Sequence, residues 1–145
     1  MHPTKKLGLL LTLSGLLAIG IGATLLLAPV QFHASNGIQI AADANLLSEM
    51  RAPGGGLLVL GLMMLIGVFV RAFTLASTAI SAAVYLAYGG ARLLSIALDG
   101  VPGPGLLAAT TIELAIGVMC AIALARSTRR ARIAMPSPAR TTKVA

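Results

Sequence analysis

Glu113 is the residue of this chain with the greatest capacity for chemistry, because it is an acid inside an otherwise apolar run. It lies about nine residues, or ~13 Å of helical rise, after that run begins near Gly105. A carboxylate that deep in a ~30 Å hydrocarbon core costs about 2.5–3.5 kcal/mol unless it is paired, neutral or facing water. Arg92 is the natural partner, since a short loop makes the helices that carry the two residues antiparallel neighbours. Such a pair could bind a ligand, take part in acid–base chemistry, or only hold two helices together.

A polar stripe on the helix before Glu113 brings more groups to the same region. From Thr74 to Asp99 polar residues recur at alternating steps of four and three, which places them on one helix face. The stripe consists of Thr74, Thr78, Ser81, Tyr85, Tyr88, Arg92, Ser95 and Asp99. From this face Tyr85 and Tyr88 could donate hydrogen bonds to the buried acid.

Charged residues at the same end of the predicted helices extend this site. Glu49 and Arg51 precede the second apolar run, and Asp99 could pair with either Arg51 or Arg92. We therefore predict one polar network between the membrane centre and the outer surface, made of Glu49, Arg51, Arg92, Asp99 and Glu113. With the stripe added, the candidates for ligand binding or for this network are Glu49, Arg51, Tyr85, Tyr88, Arg92, Ser95, Asp99 and Glu113. The alternative is a purely structural network, since polar residues between membrane helices stabilise bundles by about 0.6 kcal/mol each.

The composition identifies the class of protein that must position these residues. The chain is 57% hydrophobic and only 10% charged, with a mean hydropathy of +0.93, whereas a soluble domain carries about 25% charged residues. Four apolar runs are long enough to cross a bilayer, at about 7–28, 53–70, 72–94 and 105–125. The loop at 29–52 is polar, and Asn45 could cap a short interfacial helix within it. The sequence predicts an all-α, four-transmembrane-helix up-and-down bundle over residues 7–125.

The distribution of charge predicts the orientation of this bundle. The net charge is +7, and in this topology nine basic residues fall on one side while all four acids fall on the other. Because basic residues favour the cytoplasmic side, we predict a cytoplasmic N-terminus at 1–6 and a basic, disordered cytoplasmic tail at 126–145. The location expected is the cytoplasmic (inner) membrane, with the lipid bilayer as the first partner.

Several kinds of site receive no support from the residues. The single cysteine, Cys120, and two distant histidines give no metal site. The glycines at 54–56 are not followed by Gly-Lys-Ser/Thr, so they do not predict nucleotide binding. The basic residues flank apolar runs, which argues against nucleic acid as a partner. No metal, no cofactor and no catalytic residue is therefore assigned.

Four segments together resemble a known family. They are Asn45-Leu-Leu-Ser-Glu49-Met-Arg51, the glycines at 54–56, the string from Arg92 to Pro102, and Glu113 in the last helix. The most specific part is Arg-x-x-Ser-x-x-x-Asp-Gly-x-Pro. The chain resembles the bacterial membrane proteins grouped as domain of unknown function 4345, from the first helix to about 125. The resemblance implies a small four-helix integral membrane protein and no particular reaction. It also implies a shared role for Glu49, Arg51, Arg92, Ser95, Asp99 and Glu113.

Three classes of function remain open on the sequence alone. The first is an accessory or scaffold protein that binds another membrane protein, or a second copy of itself, through its helices. The alternative is a protein that binds a small ligand or lipid, or handles protons or solutes, at the polar network. The third is a membrane-embedded enzyme that uses Glu113 or Asp99 as acid or base, which is less favoured because no nucleophile, metal set or cofactor motif accompanies them.

Overall fold

Within residues 4–134, which the structure (a computed structural model) describes, the regular secondary structure is helical. The elements are α1 (Lys5–Leu27), α2 (Pro29–Ser35), α3 (Ala44–Phe69), α4 (Thr74–Asp99) and α5 (Pro104–Ala134). A single 3-10 turn at Arg71–Phe73 joins α3 to α4.

Four of the described helices are long and apolar enough to cross a membrane. The four candidate spans are Lys5–Leu27, Ala44–Phe69, Arg71–Asp99 and Pro104–Arg129. Large apolar side chains such as Leu13, Leu62 and Val118 lie about half exposed on the outside of the bundle. A surface of this kind is stable against lipid and not against water. The predicted all-α, four-span fold is confirmed, and the protein is a multi-pass membrane protein.

The second span differs from its prediction, because α3 is one continuous helix that begins at Ala44. Asp43, not Asn45, caps it, accepting hydrogen bonds from the backbone N–H groups of Asn45 and Leu46 at 2.9 and 3.1 Å. Pro53 lies inside the helix without ending it. Residues on both sides of this proline are attached to α1, and such packing lets membrane helices tolerate proline. A short helix does lie in the predicted loop, but it is α2.

The fourth span also differs, since α5 continues through residues 126–134, which we predicted to be disordered. No helix-breaking residue interrupts this segment, and the next proline in the sequence is Pro136. The remainder of the predicted tail, 135–145, lies outside the described residues, as do residues 1–3.

Glycines divide the bundle into two tightly packed helix pairs. In the first pair, Gly15 and Gly22 of α1 lie directly against Gly61 and Gly54 of α3. In the second, α4 and α5 approach each other through Gly89 and Gly117, which pack on leucines of the facing helix. α3 also packs on α4, whereas α1 meets α4 and α5 only sparingly. The two pairs therefore leave space between them at the end of the bundle away from the 3-10 turn.

Candidate functional site

A cavity of about 240 Å³ occupies the space between the two helix pairs. α1, α3, α4 and α5 form its walls, and Phe32 of α2 and Asn36, the residue that follows α2, also line it. The lining is mainly aliphatic. Its polar members are Asn36, Tyr85, Tyr88, Arg92 and Glu113. The cavity is therefore a largely apolar space with its polar groups on a few side chains.

The predicted partners Arg92 and Glu113 form an ion pair at the cavity wall. Arg92 Nε donates a hydrogen bond to Glu113 Oε2 over 2.9 Å. The Glu113 side chain is 8% exposed and that of Arg92 is 33% exposed. The close approach of α4 to α5 at Gly89 brings the two residues together. Because a buried carboxylate needs a partner, this contact accounts for the presence of an acid in a membrane span.

The ion pair leaves hydrogen-bonding groups unused. It engages Nε and Oε2 alone, and within residues 4–134 the two terminal nitrogens of Arg92 and the second oxygen of Glu113 have no hydrogen-bond partner. Every fully buried side-chain nitrogen or oxygen of the described residues does have a partner. The unused atoms are thus the ones that reach accessible space, and both residues line the cavity. The wall offers guanidinium donors beside a carboxylate acceptor.

The half of the polar stripe nearest the 3-10 turn has a different role. Thr74 Oγ1 donates to Gly67 O of α3 at 2.8 Å, and Ser81 Oγ shares a hydrogen bond of 3.3 Å with Ser14 Oγ of α1, while Thr78 Oγ1 donates to Thr74 O within α4. Ser77, beside the stripe, donates from Oγ to Met63 O of α3 at 2.6 Å. Tyr85 donates to Ser14 O at 2.6 Å. These contacts attach α4 to α3 and α1, so this half of the stripe stabilises the bundle, whereas Tyr88 and Arg92 of the other half line the cavity.

The structure does not join the five charged residues into the predicted network. Arg51 is exposed, and its Nε donates to Leu26 O at 3.2 Å, which satisfies a free carbonyl at the end of α1. Asp99, also exposed, accepts a hydrogen bond from Ser95 Oγ at 3.0 Å within α4. Glu49 lies exposed on the first turns of α3. Arg51 and Asp99 have local partners and Glu49 is exposed, so the ion pair between α4 and α5 stands apart from these three residues.

The hydrogen bonds that the sequence predicts from Tyr85 and Tyr88 to Glu113 do not form among the described residues. Tyr85 uses its hydroxyl on Ser14, and Tyr88 is 38% exposed with no hydrogen bond to another described residue. Both rings nevertheless line the cavity.

Sequence reasoning missed α2 and its contribution to the cavity. Two signals mark this helix: Pro29 stands at its first position, and Asn36-Gly37 follows its last turn. Gly37 adopts a positive φ of 76°, as glycine commonly does after a helix. As to metals, the described residues contain no group of three or more His, Cys, Asp or Glu that could hold an ion.

Removing the hydroxyl of Tyr85 should weaken the bundle measurably. Tyr85→Phe loses the buried bond to Ser14 O, and we expect a destabilisation of about 0.5–1.5 kcal/mol in thermal unfolding in detergent. Tyr88→Phe is the matched control and should have almost no effect, because that hydroxyl makes no bond to the described residues. Equal losses in both variants would contradict the division of the stripe into two halves.

Comparison with known proteins places these helices in one sequence family. The family model described as domain of unknown function (DUF4345) matches residues 7–124, a range that includes the ion pair, nearly all of α1, all of α2, α3 and α4, and α5 as far as residue 124. Searches of curated proteins and of solved structures found no match to this chain.

Proposed function

Since the chain belongs to the family of domain of unknown function 4345, as its motifs suggest, and that description names no activity, we propose from the geometry that it is a membrane-embedded binding protein for a small amphipathic ligand. One observation carries the proposal: an apolar cavity between the helix pairs is lined by an ion pair with unused hydrogen-bonding atoms. Apolar walls with a few convergent polar groups are characteristic of ligand sites.

The volume limits what the cavity can hold. An apolar cavity of about 150 Å³ accommodates benzene, so about 240 Å³ corresponds to roughly ten non-hydrogen atoms. This is below the ~300–1,000 Å³ of sites for drug-sized molecules. The ligand is therefore a small amphiphile, or the head and first carbons of a longer one.

This proposal selects among the three functions that the sequence left open. A scaffold would bind through its outer helix faces, and the cavity gives no support to that function. An enzyme using Asp99 has less support, because Asp99 is exposed and outside the cavity lining. Ligand binding is the function that accounts for both the cavity and the unused atoms of the ion pair.

Filling the cavity should weaken ligand binding. Ala109 lines it from α5, and Ala109→Leu places extra carbons in the space a ligand would occupy. We expect 1-octanol, a molecule of suitable size, to bind the native protein saturably in nanodiscs, and the variant to bind it at least about tenfold more weakly, equivalent to ~1.4 kcal/mol. Tyrosine fluorescence reports the binding, because the chain has no tryptophan and both of its tyrosines line the cavity.

Ala108→Leu is the matched control, since Ala108 is exposed on the same helix and is not part of the lining. It should bind 1-octanol like the native protein. If the native protein shows no saturable change, or if both variants retain full affinity, the proposed site is wrong.

In the proposed orientation, the end of the bundle away from the 3-10 turn, where the cavity lies, is at the outer face of the cytoplasmic membrane. Arg71 and Arg126 lie towards one end of the bundle, and Asp43 and Asp99 towards the other, which supports an inward basic end. We expect reporter fusions after Arg71 and at the C-terminus to report a cytoplasmic location, and fusions near Gly37 and Gly103 to report an external one. A cytoplasmic signal near Gly37 would invert the arrangement.

A further inference from the structure

We infer that the ligand's polar head is electrically neutral and carries both a hydrogen-bond donor and an acceptor, as an alcohol does. The inference rests on the proposed function, because it specifies the ligand of the same cavity. It depends on the way Arg92 and Glu113 are paired and on which of their atoms remain unused.

Charge is the first argument. Arg92 and Glu113 contact each other directly at 2.9 Å, so the positive charge of one is balanced by the negative charge of the other. The other three acids near this end, Asp43, Glu49 and Asp99, are exposed and form no part of the lining. A ligand with a net charge would leave one charge uncompensated in a low-dielectric site, which is costly.

Hydrogen-bonding capacity is the second argument. The guanidinium of Arg92 can only donate, and the carboxylate of Glu113 can only accept. A hydroxyl satisfies both, because it accepts from a terminal nitrogen of Arg92 and donates to the second oxygen of Glu113. A carboxylate head satisfies only the arginine and places its charge beside the Glu113 oxygen. An ammonium head satisfies only the glutamate and is repelled by the arginine.

The rest of the cavity matches an apolar tail. Ile21 and Leu25 of α1, Val84 of α4 and Leu106 of α5 also line it. Burial of aliphatic carbons against these side chains supplies affinity without selectivity for the head. Selectivity among amphiphiles of equal tail length therefore reports on the polar side chains of the lining, of which Arg92 and Glu113 are the charged ones.

The test compares three probes that share one tail: 1-octanol, octanoate and octylammonium. Each is titrated into the native protein in uncharged nanodiscs at neutral pH, with tyrosine fluorescence as the readout. We expect 1-octanol to bind about tenfold or more tightly than either ion. If octanoate or octylammonium binds as tightly as the alcohol, the neutral head is wrong while the cavity site stands. If none of the three binds, the proposed function itself fails.

A variant sharpens the test by reversing the preference. Glu113→Gln removes the negative charge and leaves the Arg92 guanidinium without its counter-ion, so octanoate should now bind more tightly than 1-octanol. Octanoate should also raise the melting temperature of this variant more than that of the native protein, because a ligand stabilises the state that it binds. An unchanged preference for the alcohol in Glu113→Gln would show that the ion pair does not select the head.

Discussion

Arg92→Met is expected to be the most damaging single substitution in the site, with a loss of about 3–5 kcal/mol in unfolding free energy. The substitution removes the partner of a carboxylate whose side chain is 8% exposed, and the stranded charge has no other basic group within 4 Å among the described residues. Methionine retains much of the apolar volume of the arginine stem, so the loss measures the missing charge. Thermal unfolding in detergent, or the yield of folded protein in membranes, provides the measurement.

Glu113→Gln should lower the unfolding free energy less than Arg92→Met does, and the two substitutions together should lower it less still. Glu113→Gln strands an arginine that is already 33% exposed and whose long side chain can turn towards water or headgroups. In Arg92→Met combined with Glu113→Gln no charge is stranded, so the double variant should recover most of the stability lost in Arg92→Met. Equal stability of Arg92→Met and the native protein would mean that the pair contributes nothing to the fold.

Gly22→Ala is expected to destabilise the first helix pair strongly for a change of one methyl group. A Cβ at position 22 would lie 2.5 Å from the backbone nitrogen of Leu58 and 2.7 Å from the carbonyl oxygen of Gly54. Both are backbone atoms, so α1 and α3 must move apart to accept the methyl group. Overpacking of this kind costs about 1–3 kcal/mol, and occasionally more, measured as a lower melting temperature in detergent.

Gly20→Ala is the control for this prediction. Position 20 lies two residues away on the same helix, and a Cβ there meets nothing within 4 Å. Alanine should be neutral or stabilising by up to about 1 kcal/mol, because glycine is the poorer helix former. If Gly22→Ala is tolerated as well as Gly20→Ala, the glycine contacts do not set the spacing of the first helix pair.

Local features of the sequence predicted the four spans and the ion pair. Long apolar runs must be helical in lipid, because each backbone group needs a partner within its own segment. The pairing of Arg92 with Glu113 followed from their opposite charges, their similar depth and the short loop between their helices. All three are visible in the sequence without knowledge of the tertiary structure. The stripe on α4 was also visible as a pattern, since helical periodicity does not depend on the neighbours.

The division of that stripe depended on tertiary packing and could not be predicted. Ser81 and Tyr85 bond to α1 because glycines let α1 and α3 pack closely and bring Ser14 to that position. At the end of the bundle away from the 3-10 turn, Arg51 and Asp99 bond to nearby groups instead of to opposite charges. Arg51 bonds to Leu26 O, and Asp99 bonds to Ser95. The cavity lies in the gap between two helix pairs, so it cannot be predicted from any single segment of the sequence.

The most direct test of the account is to locate a bound ligand by photo-crosslinking. A diazirine derivative of 1-octanol, irradiated with the native protein in nanodiscs and mapped by mass spectrometry, should label cavity residues such as Leu25, Val84 and Leu106. Excess 1-octanol should suppress this labelling, and Ala109→Leu should remove it while Ala108→Leu retains it. Labelling confined to outward-facing residues such as Leu62, Met63 and Val118, without competition, would contradict a ligand site inside the bundle.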